Sequence, residues 1–238
     1  NQSHTKKTIM KLNGLSYLAA FSLLAFTACT DAPDSDKAAI GEAQEAAATT
    51  GETYKVDPAA SKIEWIGTKV TGHHQGSVDL KSGELSVANG AVTGGNFVMD
   101  MTSIDVTDGD DTAANSKLRG HLLSADFFDS EKNPEAKFEI TAVEPFAGTV
   151  VDSSTKAEQG ISKYKVTNPT HSISGNLTIK GITKNIKFPA QVTVTDNSVD
   201  ALAKFNIDRT EWNIVYPGQP NDLIRNEMHL GIALKATK

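Results

Sequence analysis

Between Thr170 and Thr195 apolar and polar positions alternate residue by residue. His171, Ile173, Gly175, Leu177 and Ile179 share one parity, against Ser172, Ser174, Asn176, Thr178 and Lys180. After a turn expected at Gly181-Ile182-Thr183-Lys184, Ile186, Phe188, Ala190, Val192 and Val194 oppose Lys187, Pro189, Gln191, Thr193 and Thr195. A pleated strand turns successive side chains to opposite faces, so both segments read as strands with one apolar side. Two strands cannot bury that side alone. The same period recurs in Phe97, Met99 and Met101; in Phe138, Ile140 and Ala142; in Val199 to Ile207; and in Met228 to Ala236. Shorter strands are expected at Tyr54 to Val56, Lys62 to Val70, Ser77 to Leu80, Gly83 to Val87, Ala91 to Thr93 and Ile161 to Val166, with a turn at Thr71 to Gly76 and a polar hairpin tip at Gly148 to Gly160. In the strand from Asn96 to Val106 the parity switches at Ile104, the mark of a bulge or of the end of burial.

One segment departs from period two. Asp110 and Asp111 stand before Ala114, Leu118 and Leu122 at fourfold spacing, which predicts a capped helix ending near Ser124. About eight to ten strands with one short helix predict an all-β fold, an antiparallel barrel or a sandwich. An eight-stranded barrel either fills its interior with side chains or holds one small ligand. The inward set mixes Ala and Gly with Leu, Ile, Phe and Met, so the pattern leaves open a packed core or an apolar bore.

Composition changes the picture at the N-terminus. Leu15 to Ala28 is a short apolar run preceded by Lys6, Lys7 and Lys11 and followed by Cys29, the sole cysteine. It is shorter than a membrane span and flanked like a signal peptide, expected over residues 1–28 with Met10 as the start. Phe26-Thr27-Ala28-Cys29 resembles the bacterial lipoprotein signal, in which the cysteine becomes lipid-modified and N-terminal. Residues 29–51 are rich in Ala, Asp, Glu, Ser and Thr with almost no large apolar group, which predicts an acidic flexible tether anchored by Cys29. The domain then covers 52–238. Losing three lysines with the leader leaves 20 − 29 = −9, a balance that opposes nucleic-acid binding.

Candidate chemistry is sparse. His73 and His74 are adjacent, which on a strand sends them to opposite faces, so no metal site is predicted. His121 lies near Asp126 and Asp129, as a polar site or as loop anchoring. The aspartates at 105, 108, 110 and 111 lack calcium-loop spacing. His171 sits on apolar parity, as a core histidine or a mouth residue, and Arg209 beside Asp208 suggests a strand-end salt bridge or an anion clamp. No nucleophile elbow, P-loop or dinucleotide fingerprint is present, and the expectation is a protein without catalysis or cofactor.

Motifs spread over the domain carry a resemblance. They are Tyr54 and Asp57; Trp65 with Gly72, His74 and Gly76; Ser103-Ile104-Asp105; His121-Leu122; Asp126-Phe127-Phe128-Asp129; Pro134 and Phe138; Gly175 to Lys184; and Phe205 to Thr210. Together, residues 54–238 resemble the YceI-like family of bacterial envelope proteins, polyisoprenoid-binding barrels related in shape to lipocalins. The resemblance implies a lipocalin-like antiparallel barrel whose apolar bore takes an isoprenoid lipid, such as a polyprenyl lipid or a quinone. It also implies a place in the cell envelope, periplasm-facing or at the surface. The bore candidates are Phe97, Met99, Met101, Phe138, Ile140, Ile173, Leu177, Ile179, Phe188, Val192, Phe205, Ile207, Leu230 and Ile232, with His171, His121 and Arg209 as a polar mouth. Two other readings stand beside it, a ligand-free envelope stress protein and an enzyme acting on a hydrophobic substrate.

Overall fold

The computed structural model describes residues 31–148 and 163–238. The expected signal peptide, Cys29 and most of the hairpin tip at 148–160 lie outside the described residues. Eight long strands form a closed antiparallel barrel. They are β4 (Lys62–Lys69), β5 (Gly72–Ala88), β6 (Ala91–Val106), β7 (Glu135–Pro145), β8 (His171–Ile179), β9 (Ile182–Val194), β10 (Ser198–Asp208) and β12 (Asp222–Thr237). Each pairs with the next, and β12 returns to β4 from Ile224↔Lys69 to Ala233↔Lys62. β3 (Glu52–Val56) extends the β4 position at the other end of the barrel, between β5 and β12. The short β11 (Gly218–Gln219) forms a hairpin with the start of β12.

Turn chemistry sets the registers. Asn89 and Gly90 both have positive φ between Ala88 and Ala91, as do Lys180 and Gly181 between Ile179 and Ile182. Positive φ at both central residues makes the two-residue turn whose twist matches the flanking strands. The turn expected at 181–184 therefore lies at Lys180-Gly181, and Ile182 to Lys184 belong to β9. Likewise Gly72 to Gly76 is not a turn but the start of β5, reversed from β4 at Val70-Thr71. The three short strands expected from Ser77 to Thr93 are parts of β5 and β6, and register shifts at Ser77/Asp79 and Leu80/Ser82 break their parity. The first shift also accounts for Ile104, which returns to the core one bulge beyond Met101. Of the strand expected from Ile161 to Val166, residues 161–162 lie outside the described residues and Lys163 to Lys165 form a turn and bend.

The helix α1 (Thr112–Leu123) is capped by Asp111, whose carboxylate accepts from the Ala114 amide at 3.0 Å. Its apolar stripe is narrower than fourfold spacing implies. Leu122 is buried, Leu118 half-buried and Ala114 exposed. A short 3-10 turn, Arg209–Trp212, follows β10 at the same end of the barrel and buries Trp212, whose indole donates to the Leu177 carbonyl at 3.0 Å.

Residues expected to form a free tether instead cross the outside of the barrel. β9 and β10 pair over only five rungs, Ala190↔Ala203 to Val194↔Val199. Beyond them the chain inserts β1 (Asp36–Lys37), parallel to β10, and β2 (Ala39–Glu42), antiparallel to β9, with Ala38 buried between. The segment continues across β8, where the Gln44 amide donates to Asn176 Oδ1 at 3.0 Å and Asn176 Nδ2 donates back to the Gln44 carbonyl at 2.7 Å. It reaches β7, where the Ala47 amide donates to the Ile140 carbonyl at 2.9 Å. Composition misses this strap because main-chain pairing at a strand edge needs no large side chain.

A second buried polar contact holds the first part of the strap. His229 of β12 pairs with Asn206 Oδ1 at 2.9 Å, and Asn206 Nδ2 donates to the Pro33 carbonyl at 2.9 Å. Burial, assisted by Lys204, lowers the His229 pKa from 6.5 to about 4. The unfolded chain therefore binds this proton first, so the stabilisation is complete above about pH 6.5 and is lost as the pH falls towards 4. Urea melts at pH 7 and pH 4.5 should show roughly 2 to 3 kcal/mol less stability at the lower pH from this residue, and His229→Gln should remove that part of the slope. Asn176→Ala should raise amide exchange across residues 39–47 while leaving β5 and β6 protected. Uniform exchange over the whole barrel would contradict a locally clasped strap.

Candidate functional site

Inward parity of all eight long strands converges on a single apolar space. Met99, Phe138, Val192, Leu230 and Ile232 point inward yet are only half-buried, because the interior they face is hollow. The hollow measures about 230 Å³ and its exposed lining is entirely apolar. All fourteen residues assigned to a bore by parity and resemblance line it, from Phe97 on β6 to Ile232 on β12.

The bore is shaped by rings set against small residues. Phe97 and Phe138 lie 6.2 Å apart, Phe138 and Phe188 5.8 Å, and Phe188 stacks on Phe205 at 4.1 Å. This series crosses five strands from β6 to β10 and forms one wall. Gly175 makes room for it. A Cβ there would fall 2.2 Å from the Phe138 ring, so the glycine of the Gly175-Asn176-Leu177 motif lets Phe138 lie flat against β8. Gly76 does the same for Trp65, whose ring would meet a Cβ at 2.7 Å. The Trp65 indole N–H is buried without a hydrogen-bond partner among the described residues.

The two ends of the bore differ. At one, Tyr54, Val56, Val87 and Ala236 are buried outside the lining, and the Tyr54 hydroxyl donates to the Asp196 carbonyl at 2.9 Å. At the other, Leu122, Phe127, Phe128, Ile214, Ile224 and Arg225 reach the hollow from α1, from loops and from the β11–β12 hairpin. Here His121 packs edge-on against Phe127 and Tyr216, at 5.0 and 4.7 Å, and lies 3.4 Å from the Asp126 carboxylate.

The three polar mouth candidates do not come together. His121 is at the helix-bearing end but outside the lining. His171 begins β8 at the opposite end, opposite Ala190, with a ring nitrogen 2.8 Å from Thr170 Oγ1. Arg209 lines the bore, yet its guanidinium donates to the carbonyls of Arg225, Ile214 and Ile224. Neither the salt bridge nor the anion clamp suggested for it describes this geometry. Its partners are main-chain oxygens, while Asp208 caps the 3-10 turn by accepting from the Thr210 amide and hydroxyl. Burial lowers the Arg209 pKa from its ordinary value. Ile214 escaped attention in the sequence because it lies in a loop with no period to read, and Ile224 and Arg225 because the register of β12 shifts between Ile224 and Met228.

Elsewhere the titratable groups form local pairs. His74 meets the Asp108 carboxylate at 2.5 Å on the outer surface. Among the described residues no group of three or more His, Cys, Asp or Glu is placed to hold a metal ion. No helix among them is long and apolar enough to cross a membrane.

Solved structures of similar fold are known. The chain is similar to the crystal structure of Burkholderia cenocepacia BcnA, with a TM-score of 0.57 at 19% identity, covering 76% of this chain and 99% of that one. It is also similar to a polyisoprenoid binding domain from Saccharophagus degradans implicated in plant cell wall breakdown, with a TM-score of 0.54 at 15% identity, covering 77% of this chain and 97% of that one. At such identities the likeness is one of fold. No curated protein matches the sequence. The family model of the YceI-like domain matches residues 54–236, from β3 to the end of β12, and the chain belongs to that family.

Proposed function

We propose that this chain binds the hydrocarbon chain of an isoprenoid lipid, a polyprenyl lipid or a quinone, inside the barrel and carries or stores it without chemical change in the bacterial cell envelope. The observation that carries the reading is the hollow itself, walled by the eight long strands and lined by apolar side chains, with Arg209 and Arg225 at the helix-bearing end. Water gains nothing in such a space, and a hydrocarbon does. The naming of the Saccharophagus degradans relative as a polyisoprenoid binding domain supports the same class of ligand. Membership of the YceI-like domain family supports a non-catalytic role. The reading as a ligand-free stress protein is less well supported, since its own side chains leave the barrel partly empty.

Size narrows the ligand. An engineered apolar cavity of about 150 Å³ takes one benzene, so about 230 Å³ corresponds to roughly nine or ten carbons, about two isoprene units. A longer chain needs space from the flexible side chains Met99 and Met101 or must leave its remainder outside the barrel. Each methylene buried gains about 0.8 kcal/mol, so one isoprene unit gains roughly 3 to 4 kcal/mol before losses. Cys29 is read as the lipidated N-terminus of the mature protein, which places the barrel on a membrane.

Organic extraction of the protein purified from its native host, followed by mass spectrometry, should return a prenyl lipid or quinone. Repeatedly empty extracts would refute the carrier reading. Ala203→Phe, on β10 facing the hollow, should cost a bound prenyl chain about one isoprene unit of contact, lowering affinity roughly a hundredfold or more with the fold retained. Unchanged affinity in a folded variant would place the ligand elsewhere.

A further inference from the structure

Val215 and Leu223 are the exposed large apolar side chains among the described residues, at 59% and 48% exposure. Both belong to one loop and hairpin at the helix-bearing end of the barrel. The Ile224 amide donates to the Pro217 carbonyl at 2.9 Å, and Leu223 lies opposite Gly218. Their immediate neighbours Ile214 and Ile224 turn the other way and line the bore. Each outward residue is thus one position from an inward one, on the rim of the same end.

The path of the strap adds an independent observation. Asp31 pairs with Arg225 at 3.2 Å, and Arg225 is two residues from Leu223 and itself lines the bore. Lys37 pairs with Glu227, and Pro33 is held by Asn206, so the residues after Asp31 follow the barrel wall. Two positions separate Asp31 from Cys29, at most about 7 Å of extended chain. A lipid on Cys29 therefore enters the membrane beside this rim and not at the end of a long leash.

We infer that the helix-bearing end of the barrel is a membrane-docking face, with Val215 and Leu223 seated at the boundary between headgroups and acyl chains, so that the bore is held end-on to the lipid. The inference rests on the lipid-anchor reading of Cys29 and extends the carrier reading by fixing the orientation of the barrel.

The test uses the full lipidated chain in phosphatidylcholine vesicles whose acyl chains are brominated, with one added tryptophan at a time. Val215→Trp and Leu223→Trp should be quenched and blue-shifted. Asn197→Trp, in the turn between β9 and β10 at the opposite end, should be neither, after subtraction of the parent signal from Trp65 and Trp212. Equal quenching at all three positions, or none at 215 and 223, would overturn the inference. So would a blue shift at Val215→Trp that grows with protein concentration in lipid-free solution, which would assign the face to a second copy of the chain. End-selective quenching on a protein whose extracts are empty would keep the docking face and remove the carrier reading. Mass spectrometry of Cys29 reports the anchor separately, and an unmodified cysteine with no quenching on the vesicles would remove anchor and docking face together.

Discussion

Closure of the hydrogen-bond ladder is the constraint on which the remaining structure depends. A sheet of this size with free edges would expose rows of unpaired amides and carbonyls, and curling it until β12 meets β4 removes them. Once closed, eight strands fix the girth of the barrel independently of what lies inside. The inward side chains then either fill that girth or leave it hollow. Here small residues at Ala190, Ala201 and Ala203 stand among the phenylalanines, and the sum falls short of filling it. The hollow is thus a by-product of backbone closure combined with a few small inward residues, and needs no special scaffold.

Closure is incomplete in one place, and the strap completes it. Where β9 and β10 part after five rungs, their inner edges would face solvent with the stacked Phe188 and Phe205 beneath them. β1 and β2 supply the missing rungs, and Ala38 fits between the strands because it is small. The Asn176 clasp and the Asn206–His229 contact anchor the strap at two points on the outer wall. The stretch between the expected lipid anchor and the domain therefore functions as part of the barrel wall.

Strand content and barrel class were legible in the sequence because period two is a direct imprint of the pleat, and most residues on the inward parity of β6 to β10 and β12 face one hollow, while His171, Ala142, Val194 and Ala236 do not line it. What escaped had no period. The strap is recorded only in the asparagines that receive it, Asn176 and Asn206, whose burial in mid-strand shows only once the strap is in place. Bulges in β5 scrambled parity, so one strand of 17 residues reads as two short strands preceded by a turn. Arg209 misled for a different reason. Its neighbour Asp208 suggests a charge partner, whereas the sharp turn after β10 leaves carbonyls that only a buried multiple donor can satisfy.

The two ends of the barrel are held by different forces, and that difference gives the bore a direction. The Tyr54 end is stitched by β3, which pairs with both β5 and β12, and by a buried hydroxyl bonded to the turn at Asp196. Opening it requires breaking several main-chain hydrogen bonds at once. At the other end, the groups over the hollow come from α1 and from loops, and His121, Phe127 and Tyr216 meet through ring contacts. Contacts of that kind are worth about 0.5 to 1.5 kcal/mol each, and they sit beside the bonds from the Phe128 and Ser130 amides to the Leu122 and Leu123 carbonyls and the Arg209 bonds to main-chain oxygens. The bore therefore runs from a floor sealed by strands to an end covered by a helix and loops, where the paired charges of Lys69, Asp222, Arg225 and Asp31 stand at the rim.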